Sequence, residues 1–142
     1  MAIFVARRDR SEILVVHRCP QNGSYWHTIA GGVEAGETAL EAARRELHEE
    51  TGLDTEIVQP AGSATELWYP LSEEPAERRA LYAPGVEQVH VDCFIVDAPD
   101  DWEPVLDWEH DDYRWCAVDQ APDELYWPDT AAALRRLLAS TS

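Results

Sequence analysis

Apolar and polar positions follow two different periods along this chain. Residues 2–6 and 12–18 are apolar runs separated by the polar segment Arg7-Arg8-Asp9-Arg10, which predicts a β-hairpin. Gln21-Asn22-Gly23-Ser24 predicts a loop, and Tyr25 to Ile29 a short strand leading into a glycine turn. Over 39–51 the period becomes helical. Leu40, Ala43 and Leu47 recur at i, i+3 and i+7 and supply one buried stripe. Thr38 and Glu41 have the spacing of a capping box, and Gly52 stands where a left-handed cap would end the helix. Asp54 to Tyr69 predicts extended chain, with Gly62 as a bulge. Residues 70–87 contain Pro70, Pro75, Pro84 and Gly85 and predict a long surface insertion, a kind of loop that is often functional. Strands are expected over 87–96 and 113–118. Pro128-Asp129-Thr130 opens a last helix to about Ala139, with Leu134, Leu137 and Leu138 on its buried face.

Strands interleaved with two helices imply an α/β fold, a mixed sheet covered on both faces. There is no internal repeat, and residues 1–142 suit a single domain with a real core. The hydrophobic content of 45% argues against disorder. No apolar run is long enough to span a membrane, and no signal-peptide pattern stands at the N-terminus, so a cytoplasmic protein is expected. Cys19, Cys93 and Cys116 are far apart and have no metal-site spacing; they predict small residues of an intracellular core.

Charge narrows the chemistry. The net charge is −17, and no block of basic residues interrupts the acids. That disfavours nucleic-acid polymers and anionic membranes as partners. Such a chain would also repel a polyphosphate unless bound cations reversed the local sign. The predicted helix offers a place for them. Glu46, Glu49 and Glu50 fall within an arc of roughly 100° on a helical wheel. Like charges so spaced cost a helix roughly 0.2–0.5 kcal/mol per pair, and a hard divalent cation would offset that cost. Arg45 is four residues from both Glu41 and Glu49 and can pair with either.

From Gly31 to Leu53 the chain resembles the signature of the Nudix hydrolases, Gly-x5-Glu-x7-Arg-Glu-apolar-x-Glu-Glu-x-Gly-apolar. The matching residues are Gly31, Glu37, Arg45, Glu46, Leu47, Glu49, Glu50, Gly52 and Leu53, with none missing. The resemblance implies an α/β/α sandwich around a central mixed sheet. It also implies a Mg²⁺-dependent pyrophosphohydrolase, with Mn²⁺ able to substitute, acting on a nucleoside-triphosphate-like substrate. Glu46, Glu49 and Glu50 would hold the metal, with Arg45 keeping a ligand carboxylate in place. Downstream, Glu109-His110-x-x-Tyr113-x-Trp115 resembles an element of several Nudix subgroups whose glutamate reaches the metal site; that residue would be Glu109, with Asp111 and Asp112 as fallbacks. The proton acceptor for the attacking water stays open between Glu49 and Glu109.

The element occurs in dihydroneopterin triphosphate pyrophosphatases and in asymmetric diadenosine tetraphosphate hydrolases. The run Tyr82-Ala83-Pro84-Gly85-Val86 resembles the first subgroup. The expected partner is therefore a small nucleotide or pterin polyphosphate, bound by a monomer or homodimer. Alternatives are diadenosine tetraphosphate, ordinary or oxidised nucleoside triphosphates, or a nucleotide-sensing module without turnover. Around the signature, Gly31 and Gly32 let the backbone approach a ligand closely. Arg18 could reach a phosphate or simply end a strand. Trp26 could stack on a ring or pack in the core, and so could Tyr126 and Trp127.

Overall fold

The computed structural model describes residues 1–55, 59–60, 67–74 and 76–140. The predicted hairpin is β1, Ala2–Arg7, and β2, Glu12–Arg18, paired antiparallel. Its turn places Arg8, Asp9 and Arg10 at positive φ. The single strand expected over 25–29 is two. β3, Trp26–His27, pairs with β2, whereas β4, Ile29–Ala30, pairs with β1. Thr28 sits at the step between them, and its buried hydroxyl donates to the Ile3 carbonyl at 2.5 Å. That hydroxyl satisfies a backbone acceptor where the ladder changes partner, and the step carries the glycine turn across to the helix.

Helix α1, Ala39–Thr51, has the bounds its sequence predicts. Thr38 accepts from the Glu41 amide, the Glu41 carboxylate accepts from the Thr38 amide, and Gly52 closes the helix at φ 77°. Of the extended stretch expected over 54–69, β5, Gln59–Pro60, and β6, starting at Leu67, are described; Gly62 lies outside the described residues. β6, Leu67–Pro70, runs into the expected insertion, which holds a 3₁₀ turn, Leu71–Glu73, and a one-turn helix, α2, Ala76–Arg79. The strand expected over 87–96 divides at Asp92. β7, Gln88–Val91, pairs with β6 in a two-stranded ribbon, and β8, Cys93–Asp97, joins the main sheet parallel to β1. β9, His110–Ala117, begins three residues earlier than expected and pairs with β2. Two helices close the chain, the one-turn α3, Ala121–Glu124, and α4, Pro128–Ser140.

The main sheet is mixed, with β1 at its centre between β2 and β8. Alternation along β1 divides the core in two. Ala2, Phe4 and Ala6 face Leu134 and Leu137 of α4, while Ile3 and Val5 face Ala43 and Leu47 of α1. β2 divides the same way, Ile13 and Val15 toward α4 and Leu14 and Val16 toward α1. This is the expected sandwich of two helical layers around a sheet. The three cysteines are buried, and none forms a disulfide among the described residues. No helix among the described residues is long and apolar enough to cross a membrane.

Candidate functional site

The acidic face of α1 does not present its glutamates equally. Glu50 is buried, its side chain 2% exposed, whereas the Glu49 side chain is 55% exposed. Adjacent helical residues differ by about 100° in direction, which carries Glu50 under the loop before β9 and leaves Glu49 on the rim. Burial, with the charges of Glu46, Glu109 and Asp107, pushes the Glu50 carboxyl up to about 10. Its Oε2 has no hydrogen-bond partner among the described residues. A buried carboxyl crowded by other acids keeps its proton unless a cation replaces it.

Arg45 organises the rest. Its guanidinium donates to both oxygens of Glu37, at 2.7 and 3.2 Å, to Glu46 Oε1 at 2.8 Å, to Glu49 Oε2 at 3.3 Å and to the Gly32 carbonyl at 3.0 Å. The Glu37 bonds, above all, hold this arginine in its charged form. Glu41, one of the two partners that helical spacing offered, is engaged in the cap instead. Gly31 lies directly against Glu46. A Cβ at position 31 would stand 2.4 Å from Glu46 Cδ and 2.6 Å from Oε1. The glycine leaves room for the close approach of the Glu46 carboxylate.

Glu109 comes from the turn before β9, as the downstream element implied. Its backbone carbonyl accepts from the Cys19 amide at 2.9 Å, and its own amide donates to Asp107 Oδ1 at 3.2 Å. Donor atoms of Glu50, Glu109 and His110 lie within 4.8 Å of one another. A convergence of this kind around an unpaired buried carboxylate oxygen fits a divalent cation. Asp111 and Asp112 do not join it; Asp111 pairs with His17 at 2.7 Å and Asp112 accepts from the Tyr113 amide. His110 is the residue that sequence reasoning passed over. It stands in the recognised Glu-His pair, so a signal was present.

A cleft of about 550 Å³ opens beside this cluster. Gly31, Gly32, Glu46 and Glu109 line it together with Arg18, Tyr25, His27 and Trp127. Trp26 is not among the lining residues. Its ring lies between the His17 ring, 5.0 Å away, and the Arg114 guanidinium, at 3.9 Å. Tyr25 and Trp127 stand edge to face at 5.8 Å, and Tyr126, largely exposed, stacks on Tyr25. Arg18 donates from Nε to the Asn22 carbonyl at 2.9 Å, which holds it beside the cleft. The Tyr82-to-Val86 run is exposed and lies outside the lining residues.

His27 is buried on the cleft wall, and its Nδ1 has no partner among the described residues. Burial above all, with the positive field of Arg18, pushes it down to about 4. An unfolded histidine takes up a proton near pH 6.5, and the folded one refuses it until about pH 4. The associated stability is present above 6.5 and is lost as pH falls to 4, by about 3 kcal/mol. Urea unfolding of His27→Gln is expected to show a weaker decline over this window than the parent chain. Equal declines would mean that His27 is not held neutral.

A model of the NUDIX domain family matches residues 1–137. The chain belongs to the Nudix family. Among curated relatives, it is 29% identical to an octanoyltransferase of Myxococcus xanthus over 98% of this chain, but it spans only 36% of that protein's length. It is also 29% identical to dihydroneopterin triphosphate diphosphatase of Escherichia coli K12, over 80% of this chain and 73% of the relative. Among solved structures, the E. coli dihydroneopterin triphosphate pyrophosphohydrolase superposes with a TM-score of 0.76 at 24% identity, covering 98% of this chain and 93% of that one. The Nudix signature thus falls where the fold places it, on a glycine turn and the helix that follows.

Proposed function

We propose that this Nudix chain hydrolyses a phosphoric anhydride bond in a small nucleoside- or pterin-like polyphosphate, using Mg²⁺ or Mn²⁺. The observation that carries the reading is the buried Glu50 carboxylate, unpaired at Oε2 and grouped with Glu109 beside a polar cleft. Glu46, Glu50 and Glu109 would hold the ion. When bound, a divalent ion neutralises phosphate charge, orients the chain and acidifies a bound water. Arg45 keeps Glu46 in place through the 2.8 Å hydrogen bond. Gly31 leaves room for the Glu46 carboxylate, and Arg18, which lines the same cleft, would contact phosphate. Tyr25 and Trp127 offer aromatic faces for a purine or pterin ring. Glu109 lines the cleft and Glu49 does not, which favours Glu109 for contact with the reacting water. Paired pH–rate profiles of Glu49→Gln and Glu109→Gln separate the roles, since losing the base removes the acidic limb.

Likeness to the E. coli enzyme makes dihydroneopterin triphosphate the first substrate to test. The experiment is a panel of nucleotide and pterin phosphates incubated with purified protein and Mg²⁺ or Mn²⁺. Turnover is expected to vanish in chelator and return with metal, with the pterin triphosphate giving the highest kcat/KM and releasing pyrophosphate. Full activity in chelator would overturn the metal-based reading. Preference for diadenosine tetraphosphate would move the substrate to the other subgroup, and ligand binding without turnover would make the domain a sensor.

A further inference from the structure

The proposed metal site contains one donor that is not a carboxylate. His110 is almost fully buried, its side chain 1% exposed. Its Nδ1 lies 3.0 Å from Asp107 Oδ1, a hydrogen bond in which the ring donates. A neutral imidazole so held carries its proton on Nδ1 and presents the lone pair of Nε2. Nε2 stands 3.8 Å from Glu50 Oε1, too far for a hydrogen bond. The spacing suits two donors to one ion. With each donor about 2.1 Å from an ion, two of them lie about 3 Å apart at a right angle and about 4 Å apart when opposed. The Glu50 Oε2 atom, buried and without a hydrogen-bond partner among the described residues, is the second sign of a cation site.

We infer that His110 Nε2 is a direct ligand to the ion, with Asp107 as the residue that positions the ring. This inference rests on the metal-dependent reading and extends it to the choice of ion. Carboxylate, histidine and metal in line form a recurrent support that fixes the tautomer and raises ligand basicity. An imidazole donor favours first-row transition ions, whereas Mg²⁺ keeps oxygen ligands and water. The site is therefore biased toward Mn²⁺ and its heavier neighbours beyond what carboxylates alone would give.

The test uses Mn²⁺ alone, without substrate. Pulsed EPR of the Mn²⁺-loaded full chain is expected to show nitrogen coupling. The coupling pattern should change when histidine is labelled with ¹⁵N, a control that needs no substitution. It should vanish in His110→Gln and persist in His27→Gln. By calorimetry, His110→Gln is expected to weaken Mn²⁺ by at least the roughly 10–100-fold that loss of an outer-shell partner costs, and Mg²⁺ by much less. Asp107→Asn should retain nitrogen coupling with weaker Mn²⁺ affinity, as a positioning role requires. Mn²⁺ bound without nitrogen coupling, or equal losses for Mn²⁺ and Mg²⁺, would overturn the inference. Those results leave hydrolysis of the substrate panel untouched. Nitrogen coupling in a protein that hydrolyses nothing would instead sink the enzymatic reading alone.

Discussion

Glu50→Gln is expected to lower metal-dependent turnover on the order of 10³-fold while making the metal-free protein more stable. Both effects follow from one buried carboxyl. In the folded state without metal, burial and the neighbouring acids raise it to about 10 from 4.5. A raised acid contributes fully below its unfolded value and loses that contribution as pH rises toward the folded one. At pH 7 the folded chain thus bears about 3 kcal/mol of the conflict between burial and ionisation. Glutamine keeps the shape and removes the conflict. Thermal melts in chelator should show the parent chain losing stability from pH 5 to 9, and Glu50→Gln changing far less. Below pH 6.5 the decline from His27 has the opposite sign, so the two contributions separate in the single variants. Metal uptake should release a proton, so affinity for the ion should rise with pH in the parent and not in the variant. A variant that unfolds without metal would make Glu50 a structural residue.

The distinction between Glu49 and Glu50 also marks what the sequence could reveal. Local grammar was legible. Thr38, Glu41 and Gly52 set the ends of α1 through short-range hydrogen bonds, and the apolar runs on either side of Arg7-to-Arg10 marked the hairpin of β1 and β2. Long-range choices were not. The breaks at Thr28 and Asp92 depend on which neighbouring strand is within reach, which periodicity does not record. The wheel placed Glu46, Glu49 and Glu50 on one arc, but their difference in burial comes from the loop carrying Asp107 and Glu109. Arg45 found Glu37, eight residues away, because the glycine turn curls back over the helix. Trp26 and Tyr25 are adjacent aromatic residues of one extended segment, and only the sheet decides which of them lines the cleft.

Gly31→Ala should separate position from presence at the same site. The added methyl would meet Glu46 Cδ at 2.4 Å and Cγ at 2.7 Å. Those atoms belong to a flexible side chain, so the fold has an easy escape. Glu46 swings aside, its bond to Arg45 breaks, and the backbone stays. Stability is therefore expected to change by less than about 1 kcal/mol, within the usual range for tolerated substitutions. Turnover responds differently, because a displacement of about 1 Å in a reacting constellation costs roughly 10²-fold. The loss should appear in kcat more than in KM, since Glu46 would act on the ion and the reacting water, not on the ring end of the substrate. A mutant cycle identifies the route. If Gly31→Ala acts only by displacing Glu46, it adds nothing to the loss already caused by Glu46→Ala, and the double variant matches that single one. Additive losses would show that residue 31 acts through its own backbone contacts with the phosphate chain, and the close approach to Glu46 would then not be the reason for glycine.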